Sequence, residues 1–278
     1  MKLKNSEIFI DLDGTLLDSR PRYYKVAQVA LETTKLWCKT NNLAFEANLI
    51  SSEEFWTLKT NGVHDSKIAM RLGLTKPQAQ TYLTYVNQLA NHPLLESYNV
   101  PIIHVNQALE NLKQSGAKLS LLTLRPQSNA EQTLKNHGWD TVFDAVHGIP
   151  NGAEQYDTKV RVKTRLLEKA ILSGVSVEPS NSWIIGDTDA DIIAGKTFGL
   201  NTAALTCGMR SYTQLAPLTP TIISPNLLEA FYRIHHLASF SQYKNTFSRS
   251  RSDLLIQPRS QNIPLQKIDG LHHISLSV

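Results

Sequence analysis

The sequence predicts an α/β fold, a doubly wound parallel sheet with an all-helical module inserted after its first strand. Three observations predict it. A short run rich in Ile and Phe, Glu7 to Leu12, ends at Asp-Gly, the pattern of a buried strand stopped by a turn. From about Pro21 to Ala90 apolar residues recur at helical spacing. From Val105 onward helices and strands alternate, which implies right-handed crossovers and a parallel sheet.

In the inserted segment, Val26, Val29, Ala30 and Thr33 share one helical face, as do Phe55 and Leu58, Ile68 and Leu72, and Tyr82, Tyr85, Val86 and Leu89. Pro77 stands near the start of one such helix, where proline is tolerated. Beyond it, Val105 to Gln114 reads as a helix closed by Gly116, and Lys118 to Thr123 as a strand. A helix over Gln127 to Asn136 closes at Gly138, and a strand follows over Asp144 to Ile149. Lys163 immediately precedes a helix, Thr164 to Leu172. The strand Ser182 to Ile185, the helix Asp189 to Phe198, and strands over Asn201 to Thr206 and Thr221 to Ser224 complete the series. The expected organisation is a core made of residues 1–18 and 101–238, a helical cap over 19–100, and a flexible extension over 239–278. The extension holds eight serines, two prolines and scattered arginines, a composition poor in core-forming residues. Deleting 245–278 is expected to leave the rest folded.

With 278 residues, 41% of them hydrophobic, the chain is long enough for one large core or two modest ones. No stretch approaches the apolar run of about 20 residues that a membrane span needs. The polar start, Met1 to Glu7, lacks a signal-peptide core. The expected location is the cytoplasm, with no membrane partner. The net charge of +4 is concentrated at the end: residues from Ser239 onward carry +3 and the preceding 238 carry +1. A near-neutral body argues against a nucleic-acid groove. Cys38 and Cys207 are far apart in sequence, outside any metal-ligand spacing, and read as two reduced thiols. Trp37, Trp56, Trp139 and Trp183 read as core or interface residues. Nothing in the sequence sets an oligomeric state.

In a sheet of this kind ligands bind beyond the carboxyl ends of the strands. Asp11 and Asp13, two residues apart on an extended strand, leave the chain on the same side. One carboxylate can attack phosphorus while the other carries a proton, although Asp-Gly alone is also a common turn pair. Thr123, at the expected end of the second strand, offers a hydroxyl and an N–H to a phosphoryl oxygen. Lys163 can screen negative charge, with Lys159, Arg161 and Arg165 as rivals. After the apolar Trp183-Ile184-Ile185 come Asp187, Asp189 and Asp191. Helix capping explains one of these acids. Three behind a buried strand call for a cation, and hard oxygen ligands suit Mg²⁺.

Asp11-x-Asp13-Gly14-Thr15, then Thr123, then Lys163, then Gly186-Asp187-Thr188-x-x-Asp191 resemble the four motifs of the haloacid dehalogenase superfamily, in order. Lys163 lies 24 residues before Asp187, and that spacing selects it among its neighbours. The stretch from Asp187 to Arg210 resembles the phosphoglycolate phosphatase branch. The similarity covers roughly residues 7–235. It implies that Asp11 forms an aspartyl-phosphate and that Asp13 is general acid, then base. It implies Mg²⁺ held by Asp11, the Asp13 carbonyl and Asp187, with Asp191 in support. It further implies that Thr123 and Lys163 bind the phosphoryl group of a small phosphorylated metabolite. The acid at position 13 points to phosphate esters, since a halide needs no proton to leave. The helical insertion between the first two motifs matches an alpha-helical cap of the first type, which closes over the site and reads the leaving group. Lys59, Asn61, His64 and Lys67 are its candidate specificity residues, with Arg22 and Arg125 further candidates. The alternatives are a phosphomutase of the same superfamily and a catalytically inactive binding or regulatory protein.

Overall fold

The structure, a computed structural model, describes residues 3–4, 6–150, 158–173 and 178–239. Six strands make one parallel sheet: β1 (Glu7–Ile10), β4 (Lys118–Pro126), β5 (Ala145–Ile149), β6 (Trp183–Gly186), β7 (Asn201–Leu205) and β8 (Ile222–Ser224). Their order is β5-β4-β1-β6-β7-β8, and every neighbouring pair is parallel. The chain builds outward from β1 in one direction, then returns to β1's other side and builds the opposite way. The switch of direction falls between β1 and β6, and a crevice opens at their carboxyl ends.

Pleating decides which side chains face which helices. Ile8 and Ile10 of β1 join Leu119, Leu121 and Ile185 in the larger core cluster, while Phe9 faces Leu122, Ile184, Leu167 and Ala170 on the other side. Both faces are covered, so these strands read as continuous apolar runs rather than alternating ones. The larger cluster is closed by α5 (Val105–Gln114) and by a helix over 227–239 that supplies Leu227, Ala230 and Ile234. The smaller is closed by α7 (Lys159–Ser173) and α8 (Asp189–Thr197). Completing the sandwich is α6 (Gln127–His137), which ends at Gly138 in the left-handed conformation, φ 69°.

The inserted helices leave and re-enter through a small antiparallel pair, β2 (Leu17–Asp18) with β3 (Val100–Pro101). Between these lie α1 (Arg20–Thr40), α2 (Ser52–Thr60), α3 (Asp65–Arg71) and α4 (Lys76–Leu89). They have cores of their own: Ala30, Leu31, Ala69, Leu72, Leu74 and Tyr82 in one cluster, Ala27, Phe55 and Ile68 in another. A short helix, α9 (Tyr212–Leu215), follows β7.

Several expectations shift. The buried stripe of α1 is Arg22, Val26, Ala27, Ala30, Leu31, Thr34 and Cys38, turned by one position from the Val29/Thr33 face. Residues 41–51 are not helical, so the insertion is not helical throughout. The strand β4 continues past Thr123 to Pro126, and α7 begins at Lys159, placing Lys163 inside the helix rather than before it. The register of β4 with β5 shifts between Leu122 and Pro126, an irregularity that apolar pattern alone does not show. Trp139 and Trp183 are buried, whereas Trp37 and Trp56 are half-buried. Both cysteines are free. The compact unit runs from Met1 to Ala238; the extension proposed over 239–278 lies, apart from Ser239, outside the described residues.

Candidate active site

Asp11 follows the last residue of β1, and Asp187 and Asp191 follow β6. Because these strands are neighbours in register, with Ile10 opposite Ile185, acids far apart in sequence meet. One carboxylate oxygen from each of Asp11, Asp187 and Asp191 lies within 4.8 Å of the others, and all three residues are buried. Lys163, 1% exposed, reaches up from α7 and places its ammonium 2.8 Å from Asp11 Oδ1 and 2.7 Å from Asp191 Oδ1. Asp191 is fixed from behind, its Oδ2 accepting from the Thr188 hydroxyl at 2.6 Å and the Thr188 N–H at 3.1 Å. These bonds cap the start of α8 while aiming the acid inward.

One lysine cannot neutralise three carboxylates. Burial pushes the Asp11 carboxyl up to about 7, opposed by Lys163 and reinforced by Asp191. Burial, then the charges of Asp11 and Asp191, raises Asp187 well above the usual carboxylate range. Asp187 Oδ2 accepts from the Met209 N–H, but its Oδ1 is buried with no hydrogen-bond partner. The space around this acid is kept by glycine: a Cβ on Gly14 would come within 2.1 Å of Asp187 Oδ2, and one on Gly208 within 2.0 Å. Gly14 also adopts φ +81°, a conformation side chains rarely take. An unpartnered buried oxygen among hard anionic donors fits a small divalent cation. Among the described residues no other such cluster of acids, histidines or cysteines occurs.

Asp13 points elsewhere. Its Oδ2 accepts from Arg125 Nε at 2.8 Å, and its Oδ1 from Arg125 Nη2 at 2.6 Å and Arg22 Nη2 at 2.9 Å. Burial would raise its pKa, but Arg125 and then Arg22 hold the carboxyl well below the usual range. Behind it, Arg125 Nη1 donates to Glu96 at 2.7 Å and to Thr133 at 3.0 Å, and Arg22 Nε donates to Asn99 at 2.9 Å. Arg22 comes from α1, Glu96 and Asn99 from the return segment of the insertion, and Arg125 from β4. The network therefore ties the insertion to the sheet at Asp13. Arg125, a candidate substrate contact on sequence grounds, is 2% exposed and forks onto Asp13.

Thr123 is 1% exposed and lies on β4 beside β1, two residues beyond the last pair of their ladder, Ile10 with Leu121. Its hydroxyl accepts from the Arg125 N–H at 3.2 Å. His64 is exposed and caps α3, with Nδ1 2.8 Å from the Ser66 hydroxyl. Asn61 and Lys67 are exposed as well. Lys59 is different, paired with Asp65 at 2.6 Å with its side chain 16% exposed. Glu96 and Asn99 carried no sequence signal, because their partners stand 29 and 77 positions away.

Across residues 8–205 the chain matches the model of the family described as haloacid dehalogenase-like hydrolase. It is 25% identical over 233 residues to a phosphoglycolate phosphatase of Vibrio parahaemolyticus, covering 80% of this chain and 92% of that one. To a phosphoglycolate phosphatase of Psychrobacter arcticus it is 29% identical over 125 residues, 45% of this chain and about half (52%) of the relative's length. A crystal structure described as a putative phosphatase from Clostridium difficile superposes with a TM-score of 0.64 at 19% identity, covering 80% of this chain and 95% of that one. No helix among the described residues is long and apolar enough to cross a membrane. Fold, motif order and family match agree: the chain belongs to the haloacid dehalogenase-like hydrolase family.

Proposed function

We propose that the protein is a Mg²⁺-dependent phosphatase that hydrolyses a small phosphate monoester through an aspartyl-phosphate on Asp11. The observation that carries this reading is the buried excess of negative charge: Asp11, Asp187 and Asp191 converge on one point with a single lysine to balance them. Asp11, Asp187 and the backbone carbonyl of Asp13 would hold the cation, which when bound withdraws charge from the phosphoryl oxygens and keeps Asp11 ionised.

The chain's own groups divide the remaining work. Asp11 presents an oxygen as nucleophile at the mouth of the β1/β6 crevice. Lys163, locked between Asp11 and Asp191, supplies fixed positive charge to the oxygens that become more negative as the ester bond breaks. Thr123 offers a hydroxyl on the β4 side. Asp13 is the proton carrier: the arginine fork holds it as a carboxylate, the form that accepts a proton from the water attacking the phospho-enzyme. In the preceding half-reaction it would pass to the leaving oxygen a proton taken up from water, which requires the incoming phosphate dianion to draw the arginines off Asp13 and raise its pKa. The helical insertion closes the site from above, with Arg210 and Gln214 of the core both donating to the Thr60 carbonyl at the end of α2, at 3.0 and 2.7 Å. Closure excludes bulk water and confines the leaving group.

The test is phosphate release from a panel of sugar phosphates, phosphoglycolate, nucleotides and p-nitrophenyl phosphate, with Mg²⁺ and with EDTA. The reading requires turnover on at least one ester that stops with EDTA, returns with excess Mg²⁺, and is absent in Asp11→Asn. A folded protein silent on the whole panel would instead favour a binding role; return of phosphate to a sugar would make it a mutase. The named relatives favour a small metabolite of the phosphoglycolate kind.

A further inference from the structure

The loop that follows β7 touches both the acid cluster and the insertion, through nearly consecutive residues. Cys207 Sγ lies 3.4 Å from the Gly14 carbonyl oxygen. Gly208 is pressed into the site: a Cβ there would come within 2.0 Å of Asp187 Oδ2 and 2.5 Å of the Gly14 carbonyl oxygen. The Met209 N–H donates to Asp187 Oδ2. That bond occupies one oxygen of the acid and leaves Oδ1 for a cation. From the next residue the loop turns to the insertion. Arg210 Nη1 donates to the Thr60 carbonyl at 3.0 Å, and Arg210 Nε meets Asp189 at 3.4 Å. Gln214 Nε2 donates to the same carbonyl at 2.7 Å, while its Oε1 accepts from the Ser211 N–H at 2.9 Å and so caps α9.

The group that receives both donors is the last carbonyl of α2. A helix ends in carbonyls that lack intrahelical donors. The turn after α2 serves three of them, since the N–H groups of Asn61, Val63 and Gly62 donate to Thr57, Leu58 and Lys59. Thr60 takes its donors from the core instead. A guanidinium and an amide converging on one carbonyl, at the negative end of a helix, make a directed contact across the seam. Met209, on the acid, and Gln214, on the insertion, are five positions apart.

We propose that residues 207–214 are a strap that couples occupation of the cation site to closure of the insertion, with Arg210 and Gln214 as its positioning residues. With a cation held by Asp11 and Asp187, the Asp187 carboxylate is fixed. The Met209 N–H is fixed with it, and Arg210 and Gln214 are held against Thr60. In the other direction, an insertion fastened at Thr60 keeps Met209 on Asp187 and the free oxygen of that acid in place. Coupling between two sites is reciprocal, so loading and closure favour each other before any substrate arrives. The strap rests on the cation site of the phosphatase reading and adds a control to it.

Mg²⁺ binding to the full chain without substrate, measured by calorimetry, tests the strap beside hydrogen exchange of residues 52–64. Gln214→Glu keeps the acceptor that caps α9 and removes the donor to Thr60; Arg210→Met removes the guanidinium. Both changes make the surroundings of the acid cluster more negative, so electrostatics alone predicts tighter Mg²⁺ binding. The strap predicts the opposite, a dissociation constant raised about fivefold or more in each variant. In wild type, Mg²⁺ should slow exchange at the end of α2 severalfold, and both variants should lose that slowing. A merely structural contact would lower Tm and leave the Mg²⁺ dissociation constant unchanged or smaller. Unchanged or tighter Mg²⁺ binding in either variant overturns the strap, as does exchange in α2 that ignores Mg²⁺ in wild type; both outcomes leave the phosphatase reading intact. Wild type that binds no Mg²⁺ sinks the cation site, and the strap with it.

Discussion

Two buried charge clusters lie side by side in this molecule, and they are built on opposite principles. Around Asp13, two carboxylates (Asp13 and Glu96) face two guanidiniums (Arg22 and Arg125), and each charge has several hydrogen-bond partners. Around Asp11, three carboxylates face one ammonium, and an oxygen of Asp187 has no partner. The first cluster is complete within the chain; the second carries an excess of buried negative charge that a bound cation would offset. Burial alone therefore does not mark a functional site. Uncompensated burial does, because the desolvation cost is offset only when something binds.

The comparison breaks most sharply under substitution. Asp11→Asn should lower turnover by on the order of 10³-fold or more while leaving the fold intact, since it removes the nucleophile and one excess charge together. Phosphate release, read beside circular dichroism, checks this; appreciable turnover in that variant would mean that another group attacks phosphorus. Arg125→Met should act on stability as well as on turnover. It leaves the partly buried Asp13 and Glu96 with Arg22 as their remaining guanidinium, at a cost of about 3 kcal/mol in urea unfolding. A loss under 1 kcal/mol, on the order of a surface ion pair, would show that water reaches the Asp13 cluster freely.

Asp187→Asn separates the two clusters by sign. In metal-free protein it relieves repulsion, so Tm should rise, by on the order of 2–4 °C, while turnover is lost and Mg²⁺ no longer adds stability. A variant less stable than the parent in EDTA would contradict the charge excess.

How much of this was visible in the sequence depends on range. The motif acids, Lys163 and the succession of strands and helices along the chain follow from local patterns: apolar runs, strand-end acids and spacing. The parallel sheet then brings positions 11, 187 and 191 together, because its register leaves them little freedom. The Asp13 cluster was not legible. Arg22 and Arg125 stand in the sequence only as further candidate specificity residues, and Glu96 carries no signal at all. Their pairing depends on how the insertion folds back, which no window of sequence contains. The same holds for the rotated face of α1: choosing Val29 and Thr33 over Ala27, Leu31 and Thr34 requires knowing where α4 lies. The early start of α7 falls where Lys159, Arg161 and Lys163 compete as candidate charges, a stretch with no helical apolar stripe to mark its first turn.

Proton linkage sharpens the contrast further. The folded pKa values of Asp11 and Asp187 are raised, so between about pH 4 and 7 the folded metal-free chain binds more protons than the unfolded one. Stability from these two acids therefore falls as pH rises through that window. Asp13, whose pKa is lowered, contributes stability that is present above its unfolded value and lost only in stronger acid. His137 and His147, drawn down first by burial, work against Asp11 and Asp187, losing stability as pH falls. The clean quantity is a difference: Tm of wild type minus Tm of Asp187→Asn, both in EDTA, should become more negative from pH 5.5 to 7.5, and Mg²⁺ should remove the trend. A difference that is flat in EDTA would mean the acids are already compensated within the chain.

The smallest effect is expected from the far end. Every residue of both clusters lies between positions 11 and 191, and the apolar cluster that closes the sheet draws its last members from Leu227, Ala230, Phe231 and Ile234, with Ala238 packed against it. Removing residues 245–278 spares all of them. The truncated chain should keep its Mg²⁺ response and melt within about 2 °C of the full chain, less than a change of 1 kcal/mol produces at this size. Insoluble protein, or a Tm several degrees lower, would show that the compact unit ending at Ala238 draws stability from the residues beyond it.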